Sequence, residues 1–410
     1  MILSARTTGH QTNIKVFSNR KAGKQPSPLR DIAHTHFGNF KRRHRAYLIA
    51  IQHDAQLNRE GYKLPDMDVF NTPVLAQMAP LLEAVKQKAE QGTIEGPVPL
   101  SPIQHQIFQS DRRQLHHYNQ ALTIQSTTAF EGDALQAAFD QLLLHHDALR
   151  LSFQCDAAGQ WQQYNQGAES RSKLVLYDLS PSSDTVAKRL AICENLQRSF
   201  TLHEWPLVKA ALFREQTADR LLLIFHHLLI DGISWRIVLE DFEALYRQAL
   251  AGDSLRLPQK TDSFQLWCRG LVEYAQAPVF EDEIEYWQEL VGTTVPALPL
   301  RRREDQRGSE QISFRLDAER SQQLTGAAHR AYGTEVNEIL LAALTEAFAE
   351  SMGVDKVWIM MEGHGREEII PDLQCFRTVG WFTSEYPVLL ENVASSEEAA
   401  AVARFQVGCL

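Results

Sequence analysis

The rhythm of apolar and polar positions changes several times along the chain. Residues 1–45 show no periodicity; they mix Ser, Thr, Gly, Lys and Arg and read as loop or disorder. A helical pattern follows from Ala46 to Leu57, and Thr72-Pro73-Val74 starts another helix that runs through Val85, because Pro is at home in a first helical turn. Residues 86–98 read as a linker. Beyond them, Leu135, Ala138, Phe139, Leu142 and Leu143 recur at helical spacing and predict an amphipathic helix over Ala134–Leu144, with Asp133 as its N-cap. Ala148 to Phe153 and Trp161 to Tyr164, split by a Gly-containing turn, predict a hairpin. Leu207–Phe213 and Leu221–Phe225 predict two more strands. Ser234 starts a helix with Trp235, Val238, Leu239, Phe242, Leu245 and Tyr246 on one face. Val336–Ala349 reads as a helix, and Val357–Met361 and Tyr386–Leu390 as strands. This alternation places the chain in the α/β or α+β class.

Composition narrows the options. The 410 residues are 44% hydrophobic and 22% charged, as expected for two or three globular domains. No apolar run approaches the roughly 18 residues of a membrane helix, and no secretory leader opens the chain. The five cysteines (155, 193, 268, 375, 409) form no C-x-x-C pair. That argues against a zinc ribbon or a disulfide framework and fits a reducing, cytoplasmic setting. Charge is uneven: residues 1–59 carry 11 Lys/Arg against 2 Asp/Glu, while the whole chain has a net charge of −10. The basic head reads as a solvated tail. The acidic body gathers no basic patch, so neither nucleic acid nor a membrane is an expected partner.

Two strings carry candidate chemistry. In the first, His226-His227-Leu-Leu-Ile-Asp231-Gly232-Ile-Ser234-Trp235, a histidine pair ends an apolar strand. Neighbours at a strand end point in opposite directions, so one imidazole can face a cleft while the other packs behind. A histidine titrates near neutral pH and suits general acid–base work. Gly232 would allow a tight turn, Ser234 would cap the helix, and the helix start offers N–H groups to developing negative charge. Histidine pairs are ordinarily plain surface or core, and this chain has others at 116–117 and 145–146. The second string, Glu362-Gly-His364-Gly-Arg366-Glu367, follows a predicted strand, and by itself would pass for a charged turn.

Together these strings resemble a known family. His226 to Gly232 matches the HHxxxDG signature of the condensation-domain superfamily of nonribosomal peptide synthetases. Glu362–Glu367 and Arg377-Thr-Val-Gly-Trp-Phe-Thr383 resemble segments of its epimerization branch. Val98 to His105, Asn119-Gln120, His145-His-Asp-Ala-Leu-Arg150 and Tyr286-Trp287 add weaker matches. The segment around Arg150 reads as a helix end entering a strand with an internal ion pair, and Tyr286-Trp287 reads as core. The resemblance implies a mixed α/β fold of two lobes, each like chloramphenicol acetyltransferase, with a tunnel between them. It implies a first lobe over 97–270 and a second over 271–410, the latter expected to be incomplete. Residues 46–90 resemble the end of a peptidyl carrier domain without its attachment serine.

The implied activity is inversion at Cα of a carrier-bound aminoacyl or peptidyl thioester. His227 is the implied acid/base and Glu362 the carboxylate facing it. His226, Asp231, Gly232 and Ser234 would support the site; Trp235, His364, Arg366, Trp381 and Thr383 would line the tunnel. No dissociable cofactor or metal is expected, because the thioester supplies the acidity. Substrate would arrive on the 4'-phosphopantetheine arm of a carrier domain, and partners would be that carrier and other synthetase modules. The alternatives are a condensation domain that joins two carrier-bound substrates through the same histidine, and a truncated module that docks carriers without turnover.

Overall fold

The computed structural model describes residues 2–8, 11–17, 62–63, 83–84, 89–110, 115–169, 172–182, 184–299, 312–328 and 336–392. The chain divides into two compact units. The first runs up to Ala275 and takes back His364–Thr383; the second comprises Gln276–Gly363 and the residues from Ser384 onward. The sequence reading had assigned 364–383 to the second lobe.

The first unit is built on a six-stranded sheet. In chain order the strands of the molecule are β1 (Ile2–Thr8), β2 (Gln11–Phe17), β3 (Tyr62–Lys63), β4 (Glu83–Ala84), β5 (Gly96–Val98), β6 (Asn119–Ser126), β7 (Leu151–Cys155), β8 (Trp161–Asn165), β9 (Leu174–Asp178), β10 (Val208–Arg214), β11 (Asp219–His226), β12 (Lys356–Gly363) and β13 (Ser384–Glu391). The large sheet has the order β1-β2-β6-β11-β10-β9. Strand β11 is antiparallel to both neighbours, pairing Phe225 with Gln120 and His226 with Asn119 on one side and Phe225 with Val208 on the other. Strand β9 joins β10 in parallel, and β2 joins β6 in parallel. Hairpin β1–β2 lies where the sequence reading has only loop; its apolar residues, Ile2-Leu3, Ile14 and Val16-Phe17, are too few to show a period. The expected carrier remnant over 46–90 lies outside the described residues, apart from the two-residue pair β3–β4 and Ala89-Glu90. The helix expected through Val85 gives way there to β4.

Strand β11 is apolar throughout, from Leu221 to Phe225, as a central strand covered on both faces must be. Helices α1 (Pro102–Gln109), α2 (Gly132–His145), α3 (Thr185–Arg198), α4 (Gly232–Ala251) and α5 (Phe264–Tyr274) surround the sheet. Leu135, Ala138, Phe139, Leu142 and Leu143 are buried on α2, the stripe read from the sequence. The stripe packs on α4, which buries Trp235, Val238, Phe242 and Leu245. Asp133 lies in the first turn of α2 rather than capping it; the cap position is Glu131. Strands β5, β7 and β8 form a small sheet of their own, which contains the predicted hairpin.

Arg150 holds the end of α2. It is fully buried and donates to the carbonyls of Leu143, Leu144, Ile94 and Gln166, and to Asp147 Oδ1 at 2.6 Å. The internal ion pair expected from the sequence is therefore present, and it doubles as a helix C-cap.

The second unit contains helices α6 (Val279–Gly292) and α7 (Val336–Met352) and the antiparallel pair β12–β13. Leu341, Val357, Val388 and Leu390 form its buried cluster, with Phe348, Ile359, Met361 and Tyr386 packed against it. Tyr286 and Trp287, expected as core, are only half-buried on α6 and pack on each other edge to face.

Candidate active site

The site in the first unit starts where β11 runs out. His226 is the last residue of that strand and is fully buried. Its Nε2 donates to the carbonyl of Leu115 at 2.8 Å, and its Nδ1 accepts the amide of Leu228 at 3.3 Å. Both ring nitrogens are thus committed to backbone. Burial, which disfavours the imidazolium, lowers its pKa to about 3. His226 packs behind the site as a neutral structural group.

His227 points the other way and is half-buried. Its backbone amide donates to Tyr118 O at 2.7 Å, anchoring it beside the segment that leads into β6. The ring of Tyr118 stacks on the imidazole at 4.7 Å between centroids, 13° from parallel. The indole of Trp381 covers it at 4.6 Å, tilted by 42°. Gln120 Nε2 lies 2.8 Å from His227 Nε2, and Gln120 Oε1 accepts the indole N–H of Trp235 at 2.5 Å. The imidazole is therefore fixed by two aromatic rings, one amide and the main chain. This leaves a single orientation, which is what a positioned general base requires.

Behind His227 the two sequence strings meet. Asp231 caps α4, accepting Ser234 N–H at 2.7 Å on Oδ1. Its Oδ2 accepts Phe382 N–H at 3.1 Å, and Arg366 Nη2 reaches both oxygens at 3.2–3.3 Å. Arg366 also donates to Ser234 Oγ and to the carbonyls of Cys375 and Thr378, and lies 3.8 Å over the ring of Phe382. Ser234 Oγ bonds both ends of the Gly380 peptide unit, donating to its O at 2.9 Å and accepting its N–H at 3.1 Å. One buried charge pair thus pins the 364–383 segment beneath the His227 turn and brings Trp381 onto the imidazole.

Several sequence expectations change here. Asp231, not Ser234, is the N-cap, and Ser234 is the third residue of the helix. Gly232 has no left-handed conformation, and a Cβ there would meet nothing within 4 Å, so no tight turn requires glycine at that position. Arg366, expected in a tunnel wall, is spent on Asp231, with its side chain only 6% exposed. Trp235 is buried edge-on against Phe225. His364 is exposed, with Nδ1 accepting Arg366 N–H and lying 3.5 Å from Glu367. Thr383 is half-buried at the end of the segment. Glu362 belongs to the second unit, exposed near the end of β12, where it pairs in register with Glu385.

Sequence reasoning missed the roles of Tyr118 and Gln120. Gln120 belongs to the Asn119-Gln120 resemblance, yet only the β6–β11 register explains why it matters: it sets Gln120 opposite Phe225, one residue from His226 and two from His227.

A second cluster lies away from His227. His146 Nε2 is 2.9 Å from Asp241 Oδ2, and Arg377 reaches Asp241 Oδ1 at 2.5 Å and Glu240 at 2.9 Å. Burial and the neighbouring His146 lower the His145 pKa to about 3. One ligand atom each from His145, His146 and Asp241 lie within 4.8 Å of one another. The Asp241 carboxylate already serves a guanidinium and an imidazole, so the cluster has the character of an ion-pair network. Two thiols are poor nucleophiles: desolvation pushes the half-buried Cys193 up to about 11 and the buried Cys375 up to about 12.

Residues 94–407 match the condensation-domain family, and the chain belongs to that family. Surfactin synthase subunit 1 of Bacillus subtilis (strain 168) is 41% identical over 348 residues, which span 83% of this chain and 10% of that protein. Tyrocidine synthase 1 of Brevibacillus parabrevis is 40% identical over 347 residues, 83% of this chain and 32% of the relative. The chain thus matches a tenth to a third of such proteins. Among solved structures, the epimerization domain from the third module of tyrocidine synthetase B is similar at 36% identity and a TM-score of 0.73, covering 78% of this chain and 75% of that one. The first condensation domain of the calcium-dependent antibiotic synthetase shares the fold at 19% identity and a TM-score of 0.59, covering 76% and 74%. The fold is that of the condensation and epimerization domains, related to chloramphenicol acetyltransferase. Among the described residues no helix is long and apolar enough to cross a membrane.

Proposed function

We propose that this chain is an epimerization domain that interconverts the two configurations at Cα of a carrier-bound aminoacyl or peptidyl thioester. The observation that carries the reading is His227, a single imidazole held between Tyr118 and Trp381 with its ring orientation fixed by hydrogen bonding. The 36% identity to a solved epimerization domain supports the epimerase over the amide-forming alternative, against 19% for the condensation domain.

The chemistry needs two bases. One removes the Cα proton, the Cα–H electron pair moves onto the thioester oxygen as an enolate, and the conjugate acid of the other returns a proton to the opposite face. After one turnover the two groups have exchanged protonation states and reset through solvent. His227 is one partner in this reading and Glu362 the other. The substrate rides on the phosphopantetheine arm of a carrier domain, to whose family residues 46–90 are assigned in the same proposal.

The test is loss of a Cα deuteron from an aminoacyl thioester loaded on a carrier domain. The native chain should exchange it and build up the opposite enantiomer. His227→Ala and Glu362→Gln should each slow exchange by about 10²- to 10⁴-fold, the usual worth of a positioned acid or base. Equal exchange in native chain and His227→Ala would end the proposal; amide formation from two loaded carriers would favour the condensation reading.

A further inference from the structure

The two neighbouring histidines are held in opposite proton arrangements, and the device that sets the second is a side-chain relay. We propose that Gln120, locked by Trp235, is a positioning residue that fixes His227 as the Nδ1–H tautomer and keeps Nε2 as the proton-accepting atom.

The argument follows from donor and acceptor inventories. An indole nitrogen can only donate. Trp235 Nε1 lies 2.5 Å from Gln120 Oε1, so the amide oxygen must face the indole. The amide nitrogen then faces His227 Nε2 at 2.8 Å, and an amide nitrogen can only donate. His227 Nε2 must therefore carry the lone pair, and the neutral ring carries its proton on Nδ1, which is buried. His226 has the reverse arrangement: its Nε2 donates to Leu115 O and its Nδ1 accepts from Leu228.

The relay also weighs against protonation. An imidazolium would point Nε2–H at the Gln120 amide, donor against donor. The amide cannot turn to offer its oxygen without setting its NH₂ group against the indole N–H. Trp235 cannot yield, because it is buried edge-on against Phe225 with ring centroids 4.9 Å apart. Gln120 thus biases the resting His227 toward the free base, and because Nε2 has a single lone pair, the amide must swing off that atom before it takes a proton from carbon. Among the described residues, the ionisable groups on the elements around this ring include Tyr118, stacked on it; His226, with His116 and His117 acting on His226; and the Asp231–Arg366 pair. Gln120 and Trp235 carry no charge, so changing them to neutral residues adds or removes no charge beside the ring.

The catalytic meaning of the relay rests on the proposed epimerase reading, whereas the tautomer does not. The test therefore reads the ring directly, by ¹⁵N–¹H NMR of the histidine side chains in the intact chain, with His227 assigned by its disappearance in His227→Ala. The native ring should show protonated Nδ1 and unprotonated Nε2 at pH 8. Trp235→Phe frees the amide to turn, and Gln120→Glu places an acceptor against Nε2. Both should raise the His227 titration midpoint, the second by about one pH unit or more, since a carboxylate partner favours the charged ring. Gln120→Met should remove the bias without supplying an acceptor and give a midpoint between native and Gln120→Glu. Near-ultraviolet circular dichroism identifies any variant that fails to fold, leaving the others to decide. A native ring with its proton on Nε2, or midpoints unmoved in all folded variants, would overturn the relay. An intact relay without Cα exchange would leave this inference standing and remove the epimerase reading.

Discussion

At the scale of single residues, the site depends on one carboxylate doing three jobs. Asp231 caps α4, receives Arg366 and accepts the Phe382 amide, all while 4% exposed. Removing one partner of a buried, hydrogen-bonded ion pair leaves the other charge stranded, which costs about 3–5 kcal/mol. Loss of a helix cap adds about 1 kcal/mol, although the two terms share atoms and do not simply sum. Asp231→Ala is therefore expected to destabilise the first unit by about 3–5 kcal/mol in urea titration. Where the protein still folds, Trp381 should lose its seat on His227, and exchange activity should fall with it. Full activity in a folded Asp231→Ala protein would show that the pin does not position the imidazole.

At the scale of elements, the strands and helices that carry the site were legible wherever one face is apolar. The α2 stripe, the continuous run of β11 and the α4 periodicity each stand out in the sequence, and each is buried as its period implies. Strand β6 was not legible: Asn119 to Ser126 mixes polar and apolar residues, because its Asn119 and Gln120 serve hydrogen bonds rather than packing. Helix α3 was hidden for a related reason, since Gln197 is its only buried residue. The sequence places the helix caps two or three residues late, because Ser234 and Asp133 are good caps in the abstract and only tertiary partners decide which group is used. Arg150 shows how an element boundary can rest on a distant side chain. Its planar fork serves two carbonyls of the last turn of α2, a third on the 94–95 segment, and Asp147. A lysine keeps the charge but has a single nitrogen to offer. Arg150→Lys should leave at least one buried acceptor unpaired and cost about 2 kcal/mol or more, measured as a lower urea midpoint with unchanged slope.

At the scale of the whole molecule, buried neutral histidines tie the fold to pH. His226 is fully buried, with its pKa lowered from the ordinary 6.5 to about 3 by burial. His145 is lowered to a similar value by burial and by His146. In the unfolded chain both titrate near 6.5, so below that pH the unfolded state binds more protons than the folded one. Stability is then complete above pH 6.5 and declines as pH falls toward 3. The slope for one such group is about 1.4 kcal/mol per pH unit, so His226 alone should remove about 2 kcal/mol between pH 6.5 and pH 5. That is a sizeable part of a typical domain's margin of about 5–15 kcal/mol. Carboxylates paired in the folded state titrate later: Asp241 has burial working to raise its pKa, yet the His146 hydrogen bond and the Arg377 charge hold it below the usual carboxylate value. Its contribution is lost only in stronger acid, so the histidines govern the first part of the decline. The urea midpoint of the native chain should therefore drop between pH 7 and pH 5, and His226→Asn, which has no group titrating in that window, should show a shallower drop from a lower starting value. Parallel declines in both proteins would move the origin of acid sensitivity away from the strand end that presents His227.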